Sequence, residues 1–285
     1  MNSIPSDSER KLFAVIGRDV SQSKSPAVHN AAFQALNLPY RFVAISTEDP
    51  ERTVNIARNA DYGGLAVTMP YKESVISLMT EIDSSAAEVG AVNTIVFHGD
   101  RIVGANTDVI GIRQAFAEAG IGLTGKHVAV LGAGGAARAA VAAVKADGAA
   151  AVTVFARRKK RAETIAEDAK LVSTMTMQAV NFKSDRARTI LAEAQIVIQT
   201  TPVGSIVSPT KTPLPVGWIP EGVDLLDVVY APLPTPLMQA VQESGGRVVG
   251  GDRMFLHQAA AQFAMWTGLE APFDIMAGVF RESGS

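Results

Sequence analysis

The chain has 285 residues, room for roughly two domains, and its 47% hydrophobic and 19% charged residues exclude a largely disordered chain. Against 28 Asp and Glu stand 26 Lys and Arg, a net charge of -2 that supplies no global field for nucleic acid, so any anion site must be local. Cysteine is absent, which removes disulfides, Cys-bound metals and a thiol nucleophile and suits a reducing cytoplasm.

Residues 1–11 are polar, and the apolar run at 12–17 stops at Arg18, too early for a signal segment. The most apolar stretch, 128–144, is cut by Arg138 and rich in Gly and Ala, so no membrane span is expected and the protein is placed in the cytoplasm. Short β-branched or apolar runs then alternate with helical periodicity, the pattern of parallel sheets with crossover helices, giving an α/β class. Residues 12–16 read as a strand, 26–36 as a helix opened by Ser25 and Pro26, and 40–44 and 64–68 as further strands. Helices follow over 71–79 and 83–87, then a hairpin pairs 92–97 with 101–104 through His98-Gly99-Asp100. A helix at 109–119 leads to Lys126, where a second βα series begins with a strand at 127–131. It continues with a helix at 135–146, a strand at 151–155, a helix at 160–169 and strands at 196–199 and 225–229. Residues 201–220 form a Pro-, Ser- and Thr-rich loop of roughly 20 residues, a length at which loops are often functional. Helices at 254–266 and 272–280 are expected to pack back on the first domain. Residues 1–108 with 253–285 would form one domain with a mostly parallel sheet, and 109–252 a Rossmann-like domain.

The clearest local signal is a strand running through Val128, Ala129, Val130 and Leu131 into Gly132-Ala133-Gly134-Gly135-Ala136-Ala137, which opens a helix and fits G-x-G-x-x-G/A. Gly132 permits the tight turn, Gly134 lets backbone approach a pyrophosphate, and Ala137 allows close packing of helix on strand. An NAD site usually carries an acid at the end of the next strand. Here Arg157-Arg158-Lys159-Lys160-Arg161 follows Ala156, five consecutive basic residues where a 2′-phosphate would sit, so NADP is the expected cofactor. The other reading is a solvated basic turn, although cations at a helix N-terminus want an anion.

Polar residues also gather where strands of the first domain end, the rim on which open α/β sheets bind ligands. Ser23-Lys24-Ser25-Pro26 offers two hydroxyls and a helix N-terminus to a carboxylate, with Ser25 as a plain N-cap the alternative. Pro70 turns the chain after Val67-Thr68, so that Lys72 and Thr68 can face the rim; a surface lysine is the simpler reading of Lys72 alone. Asn93 and the run Gly104-Ala105-Asn106-Thr107-Asp108 add polar groups, Asp108 being open to an N-cap role as well. No His or carboxylate pair shows metal-ligand spacing, so no metal is expected, and among the histidines His257, beside Gln258, is the one placed near a substrate.

Taken together, Ser-Lys-Ser-Pro-x-x-His-Asn, Val-Thr-x-Pro-x-Lys, Gly-Ala-Val-Asn-Thr, Asn-Thr-Asp-x-x-Gly and Gly-Ala-Gly-Gly, in this order, resemble the shikimate dehydrogenase family. The resemblance implies reversible NADP-linked reduction of 3-dehydroshikimate to shikimate, in a substrate domain built from both chain ends around an inserted cofactor domain. It implies Lys72 and Asp108 as the catalytic pair and Ser23 and Ser25 as binders of the substrate carboxylate, with Tyr230 near it. Thr68, Asn93 and Gln258 would hold ring hydroxyls or the keto group. Gly132, Ala133, Gly134, Gly135, Ala136, Arg157, Arg158, Arg161, Thr201 and Gly251 would surround the cofactor, Gly251 by its backbone at the nicotinamide. The chain would act as a monomer or homodimer on a small molecule.

The chain departs from the family pattern at three places. Ala66 replaces the Asn or Ser usual two residues before the threonine, a hydrogen bond worth about 0.5–1.5 kcal/mol. Val109 stands where Gly is common, and Gln199-Thr200-Thr201-Pro202 replaces an Asn-Ala-Thr run. Ala66 keeps quinate or aminoshikimate oxidoreduction open. A non-catalytic NADP(H)-binding sensor is the reading from a different class, disfavoured by the presence of both Lys72 and Asp108.

Overall fold

The computed structural model describes residues 10–170, 175–184 and 186–282. The chain divides into two compact units. One runs up to Thr107 and resumes at Gln258, and the other covers Asp108–His257, so the chain passes between them twice.

The first unit contains β1 (Lys11–Gly17), α1 (Ser25–Ala35), β2 (Tyr40–Ser46), α2 (Pro50–Asn59), β3 (Gly64–Val67), β4 (Glu81–Ile82), α3 (Ser84–Val89), β5 (Thr94–His98) and β6 (Arg101–Ala105). Its six-stranded sheet has the order β2-β1-β3-β5-β6-β4. β1 lies parallel to β2 and β3, whereas β5 is antiparallel to both β3 and β6. The expected hairpin is therefore present, turning at Gly99 with φ 59°, a conformation that favours glycine.

The second unit holds α4 (Asp108–Glu118), β7 (His127–Leu131), α5 (Gly135–Ala146), β8 (Ala151–Ala156), α6 (Lys159–Lys170), β9 (Thr176–Asn181), α7 (Ala187–Leu191), β10 (Ile196–Gln199), β11 (Asp224–Asp227), α8 (Pro236–Glu243) and β12 (Val248–Val249). Then α9 (Gly251–Thr267) carries the chain back, and α10 (Phe273–Glu282) packs on α1 in the first unit. The second sheet is parallel throughout in the order β12-β11-β10-β7-β8-β9. Strand order reverses at β7, the switch point at which doubly wound sheets open a crevice.

The first core is aromatic: Phe13, Phe33, Phe42 and Phe263 are almost completely buried, and Trp266 and His29 pack among them. The second is aliphatic, with Ala129, Leu131, Val197, Leu225, Leu237 and Val241 enclosed between the sheet and its helices. On α5 the small buried residues Ala137, Ala139, Ala140 and Ala143 let helix and strand approach closely.

Several elements differ from sequence expectation. The helix expected over 71–79 reduces to a 3-10 segment at Ser74–Leu78, because Tyr71 is held by the strand end. Its N–H donates to the Thr68 carbonyl and its hydroxyl to the Thr47 carbonyl at 2.7 Å. The unanticipated α2 starts at Asp49, whose carboxylate accepts from Arg52 N at 2.9 Å, with Pro50 in the first turn. Strands β4, β9 and β12 and helices α7 and α8 were likewise not anticipated: the strands β4 and β12 are two residues long, and α8 was passed over although Thr235 caps it and Pro236 opens it.

Candidate active site

At the end of β1, Ser23 Oγ accepts a 3.3 Å hydrogen bond from Ser25 N, which brings the two serines of the first motif together. The helix cap position is Lys24, without a side-chain capping bond, so Ser25 is the first helical residue rather than the N-cap. Lys24 turns away from its neighbours: its Nζ lies 4.1 Å over the Phe280 ring. Ser25 itself is 5% exposed.

After β3 the chain turns at Thr68, and Lys72 is fixed by its carbonyl, which accepts from Val92 N at 2.7 Å. Lys72 and Thr68 are both partly exposed. Asn93 is 1% exposed and organises a buried polar cluster. Its Oδ1 accepts from Thr94 Oγ1 at 2.7 Å and from Thr107 N at 2.8 Å, and its Nδ2 donates to Thr107 Oγ1 at 3.0 Å. Thr107 Oγ1 in turn lies 3.5 Å from Gln258 Oε1 at the start of the returning segment of α9. Gln262 Nε2 donates to the Asn93 carbonyl and to Thr94 Oγ1, each at 3.1 Å. Thr94, Thr107 and Gln262 thus support Asn93 and Gln258, and sequence reasoning assigned them no role. The spacing of Gln258 and Gln262, one helical turn apart, was the signal.

In the second unit Asp108 begins α4 directly after Thr107 and is 3% exposed. Gly132 has φ 126°, and a Cβ there would come within 2.3 Å of Thr200 Oγ1. Thr200 Oγ1 donates to the Leu131 carbonyl at 2.7 Å, tying the loop after β10 to the Gly-rich turn. Gln199, completely buried, fixes that loop: its Nε2 donates to the carbonyls of Thr201 and Val203, and its Oε1 accepts from Thr201 N and Oγ1. The Gln199-Thr200-Thr201 departure therefore builds an anchored loop that positions Thr201.

The residues after β7 fit a dinucleotide on this structure's own terms. A Cβ at Gly134 would meet no protein atom within 4 Å, so the open space over the α5 N-terminus is not taken up by packing. Ala133, Gly135 and Ala136 border it, partly exposed, and the helix has no side-chain cap on its first N–H groups. Past β8, Lys159 pairs with Glu163 at 3.0 Å, while Arg157, Arg158 and Arg161 are exposed and make no ion pair among the described residues. α6 has no acid in its first turn.

The remaining assigned residues lie around β11 and α9. Tyr230 packs on Phe255, ring centroids 5.2 Å apart, and burial pushes its phenol above the ordinary value. Asp227 underpins that loop, accepting from Thr235 Oγ1 at 2.7 Å and from Val229 N at 3.0 Å. Burial pushes its carboxyl up to about 6, against the lowering by those two hydrogen bonds. A Cβ on Gly251 would lie 2.5 Å from the Val228 carbonyl, so glycine is demanded there by backbone packing itself. His257, expected near substrate, instead binds Glu118 at 3.0 Å together with Arg253. Burial raises the Glu118 carboxyl, but Arg253 and His257 outweigh it and hold the group below its ordinary value. Ser23, Ser25, Thr68, Lys72, Asn93 and Gln258 thus belong to the first unit, and Asp108, Tyr230, Gly251 and the cofactor residues to the second.

The family model for the shikimate dehydrogenase substrate binding domain matches residues 15–95, that for shikimate / quinate 5-dehydrogenase matches 114–211, and that for the shikimate 5′-dehydrogenase C-terminal domain matches 253–279. The shikimate dehydrogenase (NADP(+)) of Symbiobacterium thermophilum is 36% identical over 93% of this chain and 92% of its own. The chain belongs to the shikimate dehydrogenase family. Among solved structures, the Thermus thermophilus shikimate 5-dehydrogenase in complex with NADP(H) and shikimate is 33% identical, with a TM-score of 0.84 over 96% of this chain and 99% of that one. Quinate dehydrogenase from Corynebacterium glutamicum, in complex with NAD, is 29% identical, with a TM-score of 0.86 over 96% and 99%. Within the shikimate dehydrogenase frame, Ala66 is 5% exposed on β3 opposite Thr94, so the departure at this position removes a polar group from a closed strand position. No helix among the described residues is long and apolar enough to cross a membrane.

Proposed function

We propose that this protein is an NADP-dependent oxidoreductase that interconverts 3-dehydroshikimate and shikimate, a step toward aromatic amino acids. The reading rests on the end-to-end match to relatives bearing that name, in a chain that keeps Lys72 and Asp108. NADP, when bound, supplies or accepts the hydride. The α5 N-terminus beside Gly132, Ala133, Gly134, Gly135 and Ala136 would hold its pyrophosphate, with Thr201 and the Gly251 backbone at its far end. Arg157, Arg158 and Arg161 would take the 2′-phosphate by charge-assisted hydrogen bonds.

On the substrate side, Ser23 and Ser25 bind the carboxylate, helped by Tyr230, while Thr68, Asn93 and Gln258 bind ring oxygens. As a carbonyl becomes an alkoxide, negative charge grows on its oxygen and must be stabilised or protonated. The Lys72 ammonium supplies that charge and proton, and Asp108 orients it and exchanges a proton with the substrate hydroxyl. The cysteine-free composition is compatible with a reducing cytoplasm, the location this reading assigns.

Purified protein with NADP and shikimate should generate NADPH absorbance, and Lys72→Met should lower turnover by roughly 10²–10⁴ while weakening shikimate binding far less. Unaltered turnover in that variant removes Lys72 from the mechanism. Ala66 favours a second reading, quinate or aminoshikimate as the preferred substrate, and the likeness to a quinate dehydrogenase supports testing it. Those two compounds, assayed beside shikimate with NADP and NAD, separate the readings; tight NADPH binding with no oxidation of any would mark a sensor.

A further inference from the structure

His29 lies in α1 one turn beyond Ser25 and is completely buried. Its ring stacks on Phe42 at 4.5 Å and 13°, and Trp266 and Phe33 complete an aromatic cage at 5.2 and 6.3 Å. Neither ring nitrogen makes a hydrogen bond, and the Oε1 of buried Gln262 is likewise without a donor. Gln262 is near enough to the ring to favour its cation, yet the two make no hydrogen bond. Desolvation dominates that effect and lowers the imidazole to about 3, so the ring is neutral with one N–H to place.

The far end of Gln262 has its orientation fixed. Its Nε2 donates to the Asn93 carbonyl, so Oε1 must point the other way and needs a donor. Thr94 Oγ1 accepts from the same Nε2 and therefore donates to Asn93 Oδ1. Asn93 Nδ2 must then be the donor to Thr107 Oγ1, whose own hydrogen is shared between Asn93 Oδ1 at 3.3 Å and Gln258 Oε1 at 3.5 Å. Each bond's direction follows from the one before it. Ser25 and His29 on α1, and Gln258 and Gln262 on α9, stand in the same relation: an assigned substrate residue with a buried partner one turn later.

We propose that His29 is a positioning residue: its neutral N–H, closing on Gln262 Oε1, locks Ser25 at the start of α1 to the Asn93–Gln258 ledge and so fixes the spacing between the carboxylate and ring-oxygen contacts of the substrate. This deepens the substrate reading above and rests on it. An apolar ring of similar size leaves Oε1 an orphan and lets the ledge drift.

The test has an arm independent of turnover. In ¹⁵N-histidine-labelled wild-type protein, His29 should show a single protonated nitrogen with a slowly exchanging N–H, and Gln262→Met should shift or abolish that resonance. In steady-state assays, His29→Phe should raise the shikimate KM by about tenfold, leave the NADP KM within about twofold, and be non-additive with Gln262→Met. An N–H resonance indifferent to Gln262→Met, or His29→Phe losing thermal stability with an unchanged shikimate KM, overturns the proposal. A failure of the substrate reading looks different: wild-type protein fails to oxidise shikimate while the His29 resonance still answers to Gln262.

Discussion

Gly132 and Gly134 are two residues apart in the same turn and differ in what holds them. Gly132 combines a left-handed φ with a contact that a Cβ cannot satisfy, so Gly132→Ala should destabilise the second unit by about 1–3 kcal/mol. Gly134 has an ordinary φ and open space, so Gly134→Ala should leave the melting temperature within a degree or two and still weaken NADP binding, because the methyl enters the volume assigned to the pyrophosphate. Thermal unfolding and NADP titration of both variants, side by side, check the pair. Replacing Arg157 and Arg161 by Ala should raise the KM for NADP by roughly tenfold or more and leave that for NAD nearly unchanged. At this scale the sequence was informative wherever chemistry is written in short motifs: the Gly-rich turn, the basic run and the serine pair all stood out. Thr94 and Thr107 lay inside quoted motifs without a role of their own, and Gln262 was signalled only by its one-turn spacing from Gln258, because support given across strands and helices is not written in one local run.

Among the elements, α9 carries the greatest variety of demands. Its first residue is pressed against the Val228 and Val229 backbone, its first turns bind Glu118 through Arg253 and His257, and its later turns present Gln258, Gln262 and Trp266. Gly251→Ala would force helix and β11 loop apart, and a loss of about 1–3 kcal/mol, read by denaturant unfolding, is expected. Strongly periodic helices and the hydrophobic strands β7, β8 and β10 were legible because burial on one or both faces is written in their composition. The segment at 71–79 misled because its apolar spacing suits a helix, while the Tyr71 hydroxyl and the turn at Thr68 hold its start in place. α2 was missed although Asp49-Pro50 is a good start signal, since its exposed face dominates its composition.

At the scale of the molecule, each unit contains a buried ionisable group whose effect on stability runs with pH opposite to the other's. His29 in the first unit is lowered from 6.5 to about 3, so its neutral form contributes stability fully present above pH 6.5 and lost as the pH falls toward 3. At about 1.4 kcal/mol per pH unit the loss could reach roughly 5 kcal/mol. Asp227 in the second unit is raised from 3.8 to about 6, so its contribution is present below pH 4 and lost as the pH rises through 6, at most roughly 3 kcal/mol. Acid should therefore open the first unit before the second. The two tryptophans report separately: Trp266 packs against Phe13 and His29, and Trp218 packs on the core of the second unit. Trp218→Phe protein should lose its remaining fluorescence signature between pH 6 and 4, Trp266→Phe protein only at lower pH, and Asp227→Asn should flatten the second unit's stability between pH 4 and 6.

Because the first unit is assembled from the beginning and the end of the chain, a ribosome makes all of the second before it can deliver α10 to α1. Each newborn chain carries every residue of the second unit while Phe13 still waits for Trp266. NADP would then meet its residues on a nascent chain before Gln258 completes the shikimate contacts, making the cofactor a companion of biogenesis as well as of turnover.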